Sequence, residues 1–147
     1  MINPSLAVAD LGVSPKELML DIRTFGLLFE NLVNRDLSVY VNSIGGSLKH
    51  YRDRYALECD NVLHFNDGRY VLVETKLGGT RVDEAEKHLL ELKTLIEDKN
   101  PKIAKPEFLM VITGTDMEYT TSNGVLVVDY RLSLIHISEP TRHAQIS

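Results

Sequence analysis

Cysteine is almost missing from this chain. Cys59 stands alone among 147 residues, so neither a disulfide framework nor a multi-thiolate metal site can be built from it. Tryptophan is absent and aromatic residues make up only 7% of the sequence, which leaves the core to aliphatic side chains. No run of about 18 apolar residues occurs, and no basic-then-apolar leader opens the sequence. The expectation is a cytoplasmic protein with no membrane segment. Basic charge is also in deficit, with 16 Lys plus Arg against 21 Asp plus Glu and a net charge of −5. That balance argues against a broad, sequence-blind grip on nucleic-acid phosphates but leaves room for a local basic groove. What remains is 44% apolar and 25% charged, the composition of one globular domain.

The C-terminus is set apart by its wording. Leu132 to Arg142 read LSLIHISEPTR and directly follow Val125 to Tyr130, which have the look of an ordinary strand. The string resembles the translation of a transposon-end adapter used in short-read DNA libraries. Residues 1–131 are therefore expected to be the domain, and residues 132–147 a non-native tail.

No repeat or linker-like stretch divides residues 1–131. Asn3-Pro4 predicts a short helix through Ala9. Ser14-Pro15-Lys16-Glu17 combines a capping box with proline at the first helical position. A longer helix is predicted from about Thr24 to Asn42, since Phe25, Leu28, Phe29, Leu32, Val33, Leu37, Tyr40, Val41 and Ile44 recur at three- and four-residue steps, with Gly45-Gly46 ending it. The period then changes from 3.6 to 2. Strands are expected over Ser47–Arg52, Tyr55–Phe65 and Arg69–Lys76, the last two forming a hairpin around Asn66-Asp67-Gly68. Val82 to Lys99 reads as a second amphipathic helix, Phe108–Thr113 as a strand buried on both faces, and Val125–Tyr130 as an edge strand. The fold class is α/β: a sandwich around a mixed sheet with helices on both faces.

Strand alternation selects the polar groups that can meet. In the second strand Leu57, Cys59, Leu63 and Phe65 are expected on one face, with Glu58, Asp60, Val62 and His64 on the other. In the third, Tyr70, Leu72, Glu74 and Lys76 share a face. Cross-strand neighbours lie about 5 Å apart, so Asp60 comes close to Glu74 in one register. Carboxylates at the ends of apolar strands are costly unless paired or bound to a cation. Two of them with a lysine two residues on suit phosphodiester hydrolysis assisted by Mg2+ or Mn2+. Glu30, on the border of the long helix's apolar stripe, can aim a third carboxylate at the same place.

These residues resemble the PD-(D/E)xK (restriction-endonuclease-like) superfamily, with Glu30 on the first core helix, Asp60 on the second strand and Glu74-Thr75-Lys76 on the third. Asn3-Pro4-Ser5-Leu6, Thr24 to Glu30, Tyr51-Arg52-Asp53-Arg54, Glu58-Cys59-Asp60 and Glu74 to Gly79 together resemble one family. It is the C-terminal nuclease-like domain, of unknown function, of bacterial and archaeal AAA+ ATP-binding proteins. The resemblance implies Glu30, Asp60 and Glu74 as metal ligands, Asp60, Glu74 and Lys76 as catalytic residues, Mg2+ or Mn2+ as cofactor, nucleic acid as a partner, and an ATPase module normally in the same chain. No GxxxxGK[ST] string is present, so no ATPase activity is expected of these residues alone.

Other polar residues read more plainly. Arg52 and Arg54 fit a turn held by local ion pairs, His50 and His64 fit ordinary strand positions, Cys59 fits a buried inert thiol, and the charges of the second helix fit a solvated face. Two functions from different classes stay open at this point. One is a divalent-metal-dependent nuclease. The other is a non-catalytic regulatory or interaction module docking on an ATPase domain.

Overall fold

The computed structural model of the chain describes residues 15–52 and 58–131, of which 15 and 17–20 by backbone alone. The Asn3–Ala9 helix, the Ser14 cap, residues 53–57 with Arg54, and the tail from 132 lie outside the described residues. The elements are α1 (Pro15–Ser43), β1 (Ser47–Arg52), β2 (Glu58–His64), β3 (Tyr70–Lys76), a 3-10 turn (Gly79–Arg81), α2 (Val82–Lys99), β4 (Leu109–Thr113), β5 (Tyr119–Thr120) and β6 (Leu126–Asp129). They form a mixed six-stranded sheet in the order β1-β2-β3-β4-β6-β5. The β1, β2 and β3 neighbours are antiparallel, β3, β4 and β6 run parallel, and β5 is antiparallel to β6. A helical crossover is what two adjacent parallel strands such as β3 and β4 require, and α2 supplies it.

Each helix covers one face. Phe29, Val33, Leu37 and Val41 of α1 repeat every four residues and pack on Leu63, Phe65, Val71, Val73, Met110, Ile112 and Val128. Val82, Ala85, Leu89, Leu92 and Ile96 of α2 pack on Cys59, Val62, Tyr70, Leu72, Leu109, Val111 and Val127. Burying each such aliphatic side chain contributes about 1.5–3 kcal/mol, so the two layers supply most of the drive to fold. Strand β3 lies at the middle of the sheet, buried from Tyr70 through Thr75.

Several expectations need correction. The first is a single helix from Pro15, nine residues earlier than predicted at Thr24, with proline at its first turn as the sequence suggests. Its buried stripe is narrower than the predicted one: Leu28 is 57% exposed, because it sits 100° away from the Phe29–Val41 row. The last strand, β6, is not an edge. Its free side is taken by β5, which doubles back through Ser122-Asn123-Gly124, and a two-residue strand carries no period to read.

The turns follow local chemistry. At the end of α1, Gly46 N–H donates to Val41 C=O and Gly45 N–H to Asn42 C=O, a Schellman pair made possible by Gly45 at φ 85°. At Asn66-Asp67-Gly68, the Phe65 and Arg69 backbones close a three-residue hairpin with Gly68 at φ 88°.

Gly26 and Gly46 should respond oppositely to alanine. A Cβ at Gly46 would lie 2.3 Å from the His64 carbonyl oxygen, whereas at Gly26 nothing lies within 4 Å. In urea denaturation, Gly46→Ala should cost about 1–3 kcal/mol, and Gly26→Ala, inside α1, should gain up to about 1 kcal/mol. Equal shifts for both would contradict the packing at the α1–β1 junction.

Candidate functional site

The site begins with an irregularity in β2. Lys49 pairs with Val62 but Tyr51 pairs with Cys59, so two residues of β2, Asp60 and Asn61, stand opposite His50 alone. This is a β-bulge, which adds a residue to one strand and re-aims a side chain. Alternation therefore breaks inside β2. Cys59 joins Val62 on the α2 face rather than Leu63 and Phe65 on the α1 face, a correction to the expected arrangement. Asn61 turns toward α1 and donates to Asn34. Asp60 is released from either face, and its Oδ2 accepts the Thr75 backbone N–H at 3.0 Å. His50, across from the bulge, places Nδ1 3.2 Å from the Asp60 carbonyl oxygen.

Glu74 sits beside Asp60 on β3, in the register continued from the Asn61–Val73 pair. It is 3% exposed. Burial pushes its carboxyl up to about 9; the adjacent Asp60 carboxylate and a hydrogen bond between the two carboxyls push the same way, while Lys76 and the Asp60 backbone N–H pull back more weakly. Its Oε1 lies 2.9 Å from His88 Nδ1 of α2, at ion-pair distance but outside hydrogen-bond geometry, and so remains a buried oxygen without a hydrogen bond. Glu30 reaches the same neighbourhood from α1. Half-buried, its carboxyl is raised first by burial and then by Asp60, with Lys76 and His50 opposing. Lys76 ends β3, level with Thr113 of β4.

The four sequence-predicted residues, Glu30, Asp60, Glu74 and Lys76, thus share one electrostatic neighbourhood. Their carboxylates are not a closed cage: among the described residues, no group of three or more His, Cys, Asp or Glu is arranged to hold a metal ion. The donor chemistry nonetheless fits a hard cation. All the donors are carboxylate oxygens, and Mg2+ commonly uses only one or two carboxylates while keeping several waters. Cys59 does not compete as a ligand, since burial first and Glu74 second push its thiol up to about 12.

Two histidines lie closer to the site than the sequence suggests. His50 is the exposed strand residue expected from the sequence, but the bulge opposite, which no pattern announces, sets it against the Asp60 carbonyl. His88 carried a signal: it is three residues after Ala85 and four before Leu92, on the border of the stripe that α2 buries. The groove on the outer side of α2, about 750 Å³ and lined by Asp83, Glu86, Glu91 and Asn123 among others, includes none of the four residues.

Residues 25–132 match the family described as a domain of unknown function, DUF4143. The chain belongs to the DUF4143 family. No curated protein and no solved structure matches it. In this DUF4143 chain the matched span takes in α1 from Phe25 onward, all six strands and α2, and hence all four residues of the cluster. Among its described residues no helix is long and apolar enough to cross a membrane.

The displaced titration of Glu74 has a consequence for stability. Between pH 4.5 and about 9 the folded chain holds a proton that the unfolded chain has lost, so folding stability falls as pH rises through that window. Glu74→Gln removes this titration. Its stability relative to wild type, measured by urea denaturation, should therefore increase from pH 5 to pH 9. A difference that stays constant across that range would show an ordinary carboxylate at this position.

Proposed function

We propose that this domain is a divalent-cation-dependent, PD-(D/E)xK-type nuclease-like domain that hydrolyses nucleic-acid phosphodiesters and works in association with an AAA+ ATPase module. The observation that carries this reading is the bulge in β2, which sets Asp60 against the Thr75 backbone beside the buried Glu74, with Glu30 and Lys76 in range. Two carboxyls forced together, Glu74 buried and Asp60 half-buried, favour either a shared proton or a cation. Support also comes from the element order, in which a helix precedes a three-stranded antiparallel unit and a helical crossover leads to a parallel strand.

Asp60 and Glu74 would hold the cation, with Glu30 completing its shell directly or through water. The chemistry that Mg2+ or Mn2+ supplies when bound is stabilisation of the negative charge that grows on the phosphoryl oxygens. Lys76 donates hydrogen bonds toward the attacking water and orients it in line with the bond to be broken. The Thr75 N–H fixes the Asp60 carboxylate, so its oxygens need not reorganise during the reaction.

A second reading, a non-catalytic module docking on an ATPase domain, is favoured by Leu27 and Leu28 of α1, adjacent and more than half exposed. One set of measurements separates the two. Isothermal titration with Mn2+ should give a saturable heat with wild type and a much weaker one with Asp60→Ala. Plasmid or single-stranded DNA and RNA should be cleaved by wild type with Mg2+ or Mn2+, and Glu74→Ala and Lys76→Ala should lose at least about 100-fold in rate, the scale expected when a charge-stabilising group is removed. Cleavage that persists in both variants would mark a contaminating nuclease. Cation binding without cleavage would favour the docking module.

A further inference from the structure

We propose that His88 is a positioning residue for Glu74, holding one carboxylate oxygen from the α2 side so that the other is presented toward Asp60 and a divalent cation. This rests on the cation-dependent reading above. The residues that bind are on α1, β2 and β3. His88 brings the second helix into the same site.

Three observations meet at this contact. First, α2 lies on the face of β3 that carries Tyr70, Leu72 and Glu74, so a residue on its buried border is directed at Glu74. His88 occupies that border between the buried Ala85 and Leu92. Second, Nδ1 of His88 approaches Glu74 Oε1 at 2.9 Å, and that oxygen has no hydrogen bond. Third, the groups that act electrostatically on the carboxyl, Asp60 and Lys76, come from the strands, so His88 is the neighbour that touches it from the helix. The carboxyl is therefore addressed from two sides, by an imidazole from the helix and by the bulge from β2.

A glutamate side chain has three rotatable bonds, and a ligand free to rotate loses rotamer entropy when it binds a cation. A neighbour that fixes one oxygen beforehand lowers that cost. Groups that orient a ligand in this way commonly change metal affinity by 10- to 100-fold when removed. The nitrogen that faces Glu74 is Nδ1, which is separated from Cβ by the same number of bonds as the amide nitrogen of asparagine. Asparagine at position 88 can thus offer an N–H at nearly the same point. Leucine fills comparable space with no N–H.

The test uses the chain with Mn2+, followed by electron paramagnetic resonance and calorimetric titration at one fixed pH, alongside thermal melting. His88→Leu should bind Mn2+ about tenfold more weakly than wild type, and His88→Asn should recover to within about threefold. The melting temperatures should not follow that order, because a purely structural role would rank both variants by packing. The ¹⁵N resonance of His88 Nδ1 should also move in Glu74→Gln. Equal Mn2+ affinity for wild type and His88→Leu, no recovery in His88→Asn, or an unmoved resonance would each overturn the role of His88 while leaving the cation site standing. Wild-type protein that binds no Mn2+ would overturn the cation-dependent reading itself, and this proposal with it.

Discussion

A strand that kept strict alternation from Glu58 to His64 would commit Asp60 to one face of the sheet, where an unpaired carboxylate costs several kcal/mol of desolvation. The extra residue opposite His50 removes that commitment. Asn61 takes the α1 face and is satisfied by Asn34, Cys59 and Val62 take the α2 face, and Asp60 turns along the sheet to the Thr75 N–H. One irregular residue thus reconciles a polar group with a strand that is otherwise core. It also brings two carboxyls together, since the same turn sets Asp60 beside Glu74.

The rest of the architecture can be read as support for that arrangement. Glu74 lies on the central strand, covered by α2 and flanked by β2 and β4, so water has little access to it and its acid form is favoured. At the far side of the sheet, Tyr130 donates to Asp36 of α1 and packs edge-to-face on Phe29 at 5.8 Å. Asn34 meets the bulge one turn beyond Glu30. α1 is therefore tied at two places, and Glu30 projects from the tethered stretch between Phe29 and Asn34. At the carboxyl ends of the parallel strands, Lys76, Thr113 and Asp129 lie level. Hydrogen bonds from Arg131 hold the Asp129 carboxyl down at about 2, so this end of the sheet is closed by paired charge.

Much of this was legible from local pattern. The four-residue repeat of Phe29, Val33, Leu37 and Val41, the Asn66-Asp67-Gly68 hairpin and the apolar run of β4 each carry their own period or turn chemistry, and the structure contains them. What could not be read depends on partners distant in sequence. A bulge is a mismatch between two strands, and nothing in Glu58-Cys59-Asp60-Asn61 alone reveals it. The interior place of β6 depends on a two-residue β5 too short to carry a period. The importance of Glu74 was visible as a charge in an apolar strand, but its contact with His88 required the pitch of α2 over β3. The early start of α1 is of another kind: Pro15 marked it, and the buried stripe simply begins later than the helix does.

The net charge of −5 and the phosphate substrate of the proposed function look opposed, and distance resolves the opposition. Beyond about 8 Å at physiological salt, screening removes most of the effect of the acidic surface, so net charge slows long-range encounter more than it alters a docked contact. Close to the carboxylates the balance is different. Lys76 and His50 both act on Glu30, and Lys49, His50 and Arg52 lie exposed on the edge strand β1, with Arg52 already paired to Glu58. Under the proposed function, the positive charge available to a phosphate is then concentrated beside the bulge. Under that function, a cation held between Asp60 and Glu74 would displace the proton that Glu74 keeps in its absence and add positive charge where the phosphate docks. The half-buried Asp60 and the buried Glu74, which share a proton in its absence, are thus what would make the site selective for a phosphate arriving together with a divalent ion.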